Sequence, residues 1–179
     1  MKAVRERLIR STAALERNAV PYTVIGAHAV AYWVALRDRG ATRNTPNVDL
    51  LVRPHDFERA RAALEDVGFV SAPRTGPQVD FLDGPAGRIR DAVRLWFSGD
   101  VLRPTTEALP DAALAISAEE YRVVPLDALV RMKLIAFRTI DRVHLQDLIG
   151  VGLIDGTWPE KFPEVLAERL RQILANPDG

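Results

Sequence analysis

The chain has 179 residues, 47% of them apolar, which is enough to bury one core with at most a small helical appendage. Its 24 basic and 24 acidic side chains cancel, so no net charge draws the whole molecule to nucleic acid or to a membrane surface. There is no cysteine, which excludes disulfides, zinc–thiolate centres, iron–sulfur clusters and thiol catalysis.

The opening MKAVRERLIRSTAALERN is a charged amphipathic pattern, not a signal peptide. No apolar run approaches the ~20 residues of a membrane span. A cytoplasmic protein is expected. Residues 3–18 carry Val4, Leu8 and Leu15 near helical spacing, and Pro21 stops that helix. Tyr22 to Ile25 reads as a short strand ended by Gly26, and residues 27–37 as a buried helix.

After a loop over 40–46, residues 47–52 alternate. Val48, Leu50 and Val52 face one way, and Asn47, Asp49 and Leu51 the other. An amphipathic helix follows over 55–66, with Gly68 as its stop. Strands are expected at Phe69–Ser71, Val79–Leu82 and Asp91–Phe97; residues 101–118 have no clear pattern.

Arg122 to Val124 reads as a short strand. Helices are expected over 126–138, 141–151 and roughly 160–175. This order predicts an α/β (α+β) fold: a mixed sheet flanked by helices, with further helices at the C-terminal end. The expected organisation is an N-terminal helix (1–20), a core (21–124) and a helical segment packed on it (125–179).

Two features carry candidate chemistry. Gly26-Ala27-His28 sits at a strand-to-helix junction, where a glycine lets the backbone approach a ligand and free N–H groups favour an anion such as a triphosphate. In Arg43-x-Thr45-x-Asn47-Val48-Asp49, Asn47 and Asp49 share a strand face, a spacing at which two oxygens can grip one Mg²⁺. A third signal is Lys133, one of three lysines beside 21 arginines. It lies in the stripe Leu126, Leu129, Val130, Lys133, Phe137. A lysine there must snorkel, pair or point into a polar cleft. Two readings stand: an ion pair with Asp147 joining two helices, or phosphate binding. His28 reads as a helix-start residue beside the cleft, and His144 as a core or interface histidine. Tyr32, Trp33 and Trp158 could supply contacts to a protein partner or a second copy.

The first two features, in this order, resemble the nucleotidyltransferase superfamily, the DNA polymerase beta-like fold. Its signature is a hydrophobic-Gly-Gly/Ser turn opening a helix, then Asp-x-Asp on the next strand; here it reads Val24-Ile25-Gly26-Ala27 and Asn47-Val48-Asp49. The closer resemblance is to small bacterial nucleotidyltransferase-like proteins related to abortive-infection toxin enzymes. VIGAHAVAYW and RNTPNVDLLV match their turn and strand, VRLWFSGD their third-carboxylate strand, and residues 123–155 their closing helices. It implies two Mg²⁺ ions on three carboxylates and transfer of a nucleotidyl group to a hydroxyl, with Asp49 and Lys133 catalytic. It implies nucleotide contacts from Gly26, Ala27, Thr45, Asn47, Lys133 and Asp147; Arg43 and Arg94 are added as candidate phosphate contacts by their charge, not by the resemblance. Asp141 occupies a comparable place.

The carboxylate set departs from that pattern. Asn47 stands at the first position and Arg94 at the third; only Asp49 is intact. An arginine ~5 Å from a dication repels it by several kcal/mol even at an effective dielectric near 20. Mg²⁺ binding would need Asn47 or, better, Asp80 to assist Asp49. Arg94 is expected instead to clamp phosphate oxygens. The expectation is a nucleotide-binding member with degenerate metal carboxylates, the alternative being a non-catalytic, antitoxin-like or oligomerising module.

Overall fold

The computed structural model describes residues 2–101 and 107–176. In chain order these form α1 (Lys2–Arg17), β1 (Tyr22–Ile25), α2 (Gly26–Ala35), β2 (Val48–Val52), α3 (Phe57–Asp66), β3 (Phe69–Ser71) and β4 (Val79–Asp83). Then come β5 (Val93–Phe97), β6 (Ile116–Ser117), β7 (Arg122–Val123), α4 (Leu126–Ala136), α5 (Thr139–Gly150) and α6 (Glu164–Ala175). The fold is the expected mixed α/β one.

The seven strands lie in one sheet, ordered β3-β4-β5-β2-β1-β7-β6. β2 pairs parallel with β5, and β1 parallel with β7; the other pairings are antiparallel. β2 is the central strand, so Val48, Leu50, Leu51 and Val52 are all buried and the predicted inside–outside alternation fails at Leu51. α2 packs on β1 and β2, and α4 and α5 pack on α2, on each other and on α6. One hydrophobic cluster runs from Leu15 through Leu50, Leu95 and Leu134 to Leu170.

Several boundaries differ from expectation for local reasons. α4 ends at Ala136 because Phe137 takes a left-handed conformation, φ 47°, which breaks the helix before residue 138. α6 begins only after Pro163, which occupies its cap; Trp158–Lys161 form a separate 3-10 turn. In the stretch without a clear pattern, Ile116–Ser117 make the edge strand β6; residues 102–106 lie outside the described residues. Tyr32, Trp33 and Trp158 are half-buried and pack within the chain, with Trp33 Nε1 donating to the Val124 carbonyl at 3.1 Å. No helix among the described residues is long and apolar enough to cross a membrane.

Register places the candidate residues. Ile25 on β1 lies opposite Asp49 on β2, Asp49 opposite Arg94 on β5, and Arg94 opposite Asp80 on β4. The four form one row across the sheet, next to the turn that opens α2.

Candidate functional site

Gly26 has φ +67°, a conformation side-chain-bearing residues rarely adopt. A Cβ there would also lie 2.6 Å from Asp49 Oδ2. The glycine therefore serves two needs at once: it makes the strand-to-helix turn and leaves room for the carboxylate. Ile25 caps α2 without a side-chain hydrogen bond, so the first N–H groups of the helix stay available at the same point.

Asp49 ends a polar relay. Thr45 Oγ1 donates to Asn47 Oδ1 at 3.2 Å, and Asn47 Nδ2 donates to Asp49 Oδ2 at 2.9 Å. The other carboxylate oxygen, Oδ1, accepts from Trp96 Nε1 at 3.1 Å. Burial raises the Asp49 pKa above the ordinary carboxylate value, and it outweighs the hydrogen bond from Trp96, the charges of Arg94 and Lys133, and the bond from Asn47. The dominant cause is desolvation, because the carboxylate is closed in by neighbours although the residue as a whole keeps some surface.

Arg94 lies between two carboxylates. Its Nε is 3.3 Å from Asp80 Oδ1, but the pair is not aligned as a hydrogen bond, and both atoms lack a hydrogen-bond partner among the described residues. Asp80 is two strands from Asp49, about 10 Å at ordinary strand spacing. The expectation that Asp80 assists Asp49 with a metal is corrected here: Asp80 neutralises Arg94 instead.

The donor set accordingly does not fit two Mg²⁺ ions. Among the described residues no three His, Asp or Glu side chains gather as metal ligands. Both oxygens of Asp49 already accept hydrogen bonds from neutral groups, and a guanidinium faces it across the ladder.

Lys133 is 6% exposed, and its Nζ donates to Asp141 Oδ1 at 2.9 Å. The anticipated Lys133–Asp147 pair does not form, because the left-handed Phe137 turn orients α5 with Asp141 toward α4. Asp141 is 1% exposed and accepts three further bonds from Arg138: from its backbone N–H at 3.2 Å, Nε at 2.7 Å and Nη2 at 3.3 Å. Burial alone would raise the Asp141 pKa; the bonds from Arg138 and the charge of Lys133 overcome it and hold the group below its ordinary value. Asp147 pairs with Arg43, whose Nε lies 3.0 and 2.8 Å from its two oxygens. This contact ties the loop before β2 to α5.

Gly26, Ala27, Arg43, Thr45, Asn47, Asp49, Arg94, Lys133 and Asp147 all line one polar cavity, partly open to solvent. Asp80 does not. A second, smaller cavity adjoins it and shares Gly26, Asp49, Trp96, Lys133 and Arg138. Together they make a two-lobed cleft with Asp49 at its waist.

Sequence reasoning missed Trp96 and Arg138. Trp96 was reachable, since it stands two residues beyond Arg94 and shares its strand face. Arg138 gave no signal, being one arginine among many. His144 lines the polar lobe and is 5% exposed; burial and the nearby Lys133 charge push its pKa down to about 4. His28, also lowered to about 4 chiefly by burial, lines a neighbouring groove under the 42–45 loop rather than the cleft.

No protein-family model matches the chain, and no curated protein matches it. Solved structures do. The solution structure of the antibiotic-resistance factor ANT(2'')-Ia matches with a TM-score of 0.56 at 14% identity, over 98% of this chain and 93% of that one. The crystal structure of ANT(2'')-Ia in complex with adenylyl-2''-tobramycin matches with a TM-score of 0.51 at 16% identity, over 99% and 97%. At this identity the likeness shows the fold alone: the mixed α/β arrangement described above is shared with ANT(2'')-Ia.

Proposed function

We propose that the polar lobe binds the phosphates of a nucleoside triphosphate, or a ligand of the same phosphate chemistry, through protein cations rather than through Mg²⁺. The carrying observation is the set Asn47, Asp49 and Arg94: an amide, an already hydrogen-bonded carboxylate and a guanidinium where the resemblance implies three carboxylates. The ligand would lie against the start of α2 at Gly26 and Ala27, where N–H groups and the helix dipole favour an anion. Arg94 of β5, Lys133 of α4 and Arg138 at the start of α5 supply positive charge. Arg43 reaches the ligand by exchanging Asp147 for phosphate.

The adenylyl group carried by the tobramycin in ANT(2'')-Ia supports a nucleotide as the ligand class for this fold. The likeness to abortive-infection toxin relatives adds a bacterial regulatory setting, through the two quoted motifs alone. Nucleotidyl transfer by the two-metal route is not part of this reading.

Calorimetric titration with ATP, GTP, CTP and UTP tests it. One-to-one binding of at least one nucleotide is expected. Arg94→Gln then weakens it roughly ten- to a hundredfold, the worth of a charged hydrogen bond. Asp147→Asn strengthens it by releasing Arg43. Failure of all four nucleotides to bind, with or without Mg²⁺, leaves the interaction-module reading.

A further inference from the structure

Among the described residues, none of α6 lines either lobe of the cleft, yet α6 grips the turn beside it. Arg169 Nη1 donates to the Leu134 carbonyl at 2.6 Å and to the Ile135 carbonyl at 3.1 Å. Both carbonyls lie in the last turn of α4, where a helix leaves its own acceptors unfilled. In a continuing helix they would meet the amides of Arg138 and Thr139. The Arg138 amide instead donates to Asp141, at the cap of α5, and Thr139 begins that helix.

The same guanidinium lies over the Phe137 ring, 4.9 Å from its centre, at cation–π distance. Arg142 of α5 lies over that ring too, at 5.8 Å. Phe137 is the left-handed residue, φ 47°, and its N–H donates to the Lys133 carbonyl at 2.9 Å. A bulky side chain rarely takes this conformation, which persists only where the surroundings enforce it. Arg169 holds both the carbonyls before this residue and the ring itself.

The turn decides what enters the cleft. Arg138, next in the chain, lines both lobes. Asp141 reaches back eight residues to accept from Lys133 Nζ at 2.9 Å. Lys133 lies on α4, before the turn, and Asp141 on α5, after it. Their bond therefore needs the two helices to meet as Phe137 sets them.

We propose that Arg169 is a positioning residue for the cleft: it pins Phe137 in the left-handed turn, and through that turn it aims Arg138 into the cleft and keeps Asp141 against Lys133. Its own guanidinium does not touch the ligand. The consequence for nucleotide binding rests on the reading above; the consequence for the Lys133–Asp141 pair does not.

Arg169→Met, Phe137→Gly and the double variant test this on the full chain. Methionine keeps the apolar stem and removes the donors and the charge. Glycine takes a positive φ freely, so a glycine turn needs no outside support. In Arg169→Met, calorimetry should find nucleotide bound roughly tenfold more weakly, the worth of a charged contact from Arg138. The Asp141 carboxyl, followed by isotope-edited NMR, should titrate at higher pH than in the parent, because the Lys133 charge and hydrogen bond help to hold it low. Phe137→Gly alone should leave both readouts at their parent values, and added to Arg169→Met it should restore them. A mere loss of α6 packing is not repaired by a glycine in another element. Unchanged Asp141 titration in folded Arg169→Met overturns the proposal, whether or not the parent binds a nucleotide. So does a folded double variant that still behaves as Arg169→Met, or a Phe137→Gly variant that behaves so on its own. If the parent binds none of the four nucleotides, the phosphate reading fails and the Asp141 titration alone decides the role of Arg169.

Discussion

Asn47 Nδ2 donates to Asp49 Oδ2 at 2.9 Å, so the residue that replaces the first expected carboxylate steadies the second instead of joining it in holding a cation. The relay from Thr45 can run in either direction, because an amide turned by half a rotation exchanges donor for acceptor. Asp49→Asn should therefore be accommodated. Burial holds the Asp49 pKa above its unfolded value. A group raised in this way favours the fold in its protonated form and loses that contribution as pH rises through the folded pKa. Chemical denaturation should show Asp49→Asn more stable than the parent at pH 8, with the difference vanishing toward pH 4. A variant less stable at pH 8 would show that the ionised carboxylate is needed for folding.

Gly26→Ala sets a methyl group 2.6 Å from Asp49 Oδ2 at a φ of +67°. Backbone strain of this kind costs on the order of 1–3 kcal/mol. The displaced carboxylate should also lose its bonds to Asn47 and Trp96. Denaturation midpoints and ligand titration should fall together; full retention of both would remove Gly26 from the site.

The buried cluster on α4 and α5 is asymmetric. Asp141 serves two cations, whereas Lys133 has Asp141 as its one hydrogen-bonded partner among the described residues. Asp141→Asn leaves a buried ammonium without its counter-charge and should cost about 3–5 kcal/mol. Lys133→Met leaves Asp141 paired with Arg138 and keeps the apolar stripe filled, so it should cost less. The order of the two variants in urea denaturation checks this, and the reverse order would contradict it.

His28 and His144 are both depressed to about 4, chiefly by burial. The unfolded chain binds these protons near 6.5, the folded chain near 4. Between those values unfolding takes up protons, so stability present above pH 6.5 declines as pH falls toward 4. The His28→Asn/His144→Asn double variant should show a flatter profile over that window; an unchanged slope would assign the acid sensitivity elsewhere.

The sheet-and-helix order and most of the cleft could be read from local pattern. Gly26, Asn47 and Asp49 followed from a turn and a period of two, and Lys133 from a charge inside an apolar stripe. What escaped depended on non-local geometry. Asp80 was misassigned because residue spacing does not say that β5 lies between β4 and β2. The partner of Lys133 is Asp141 rather than Asp147 because one residue, Phe137, takes a left-handed turn that fixes how α5 faces α4. Nothing in a run of apolar residues announces that conformation. Arg138 enters the cleft through the same turn.

The role of metal is the point on which the rest depends. Calorimetric titration of the tightest-binding nucleoside triphosphate in EDTA, repeated with millimolar Mg²⁺, tests it most directly. If Arg94, Lys133 and Arg138 hold the phosphates, affinity in EDTA equals or exceeds that in Mg²⁺, since the ion competes with the protein for the same oxygens. Binding that appears only when Mg²⁺ is present would contradict the account and return Asp49 to the role of metal ligand.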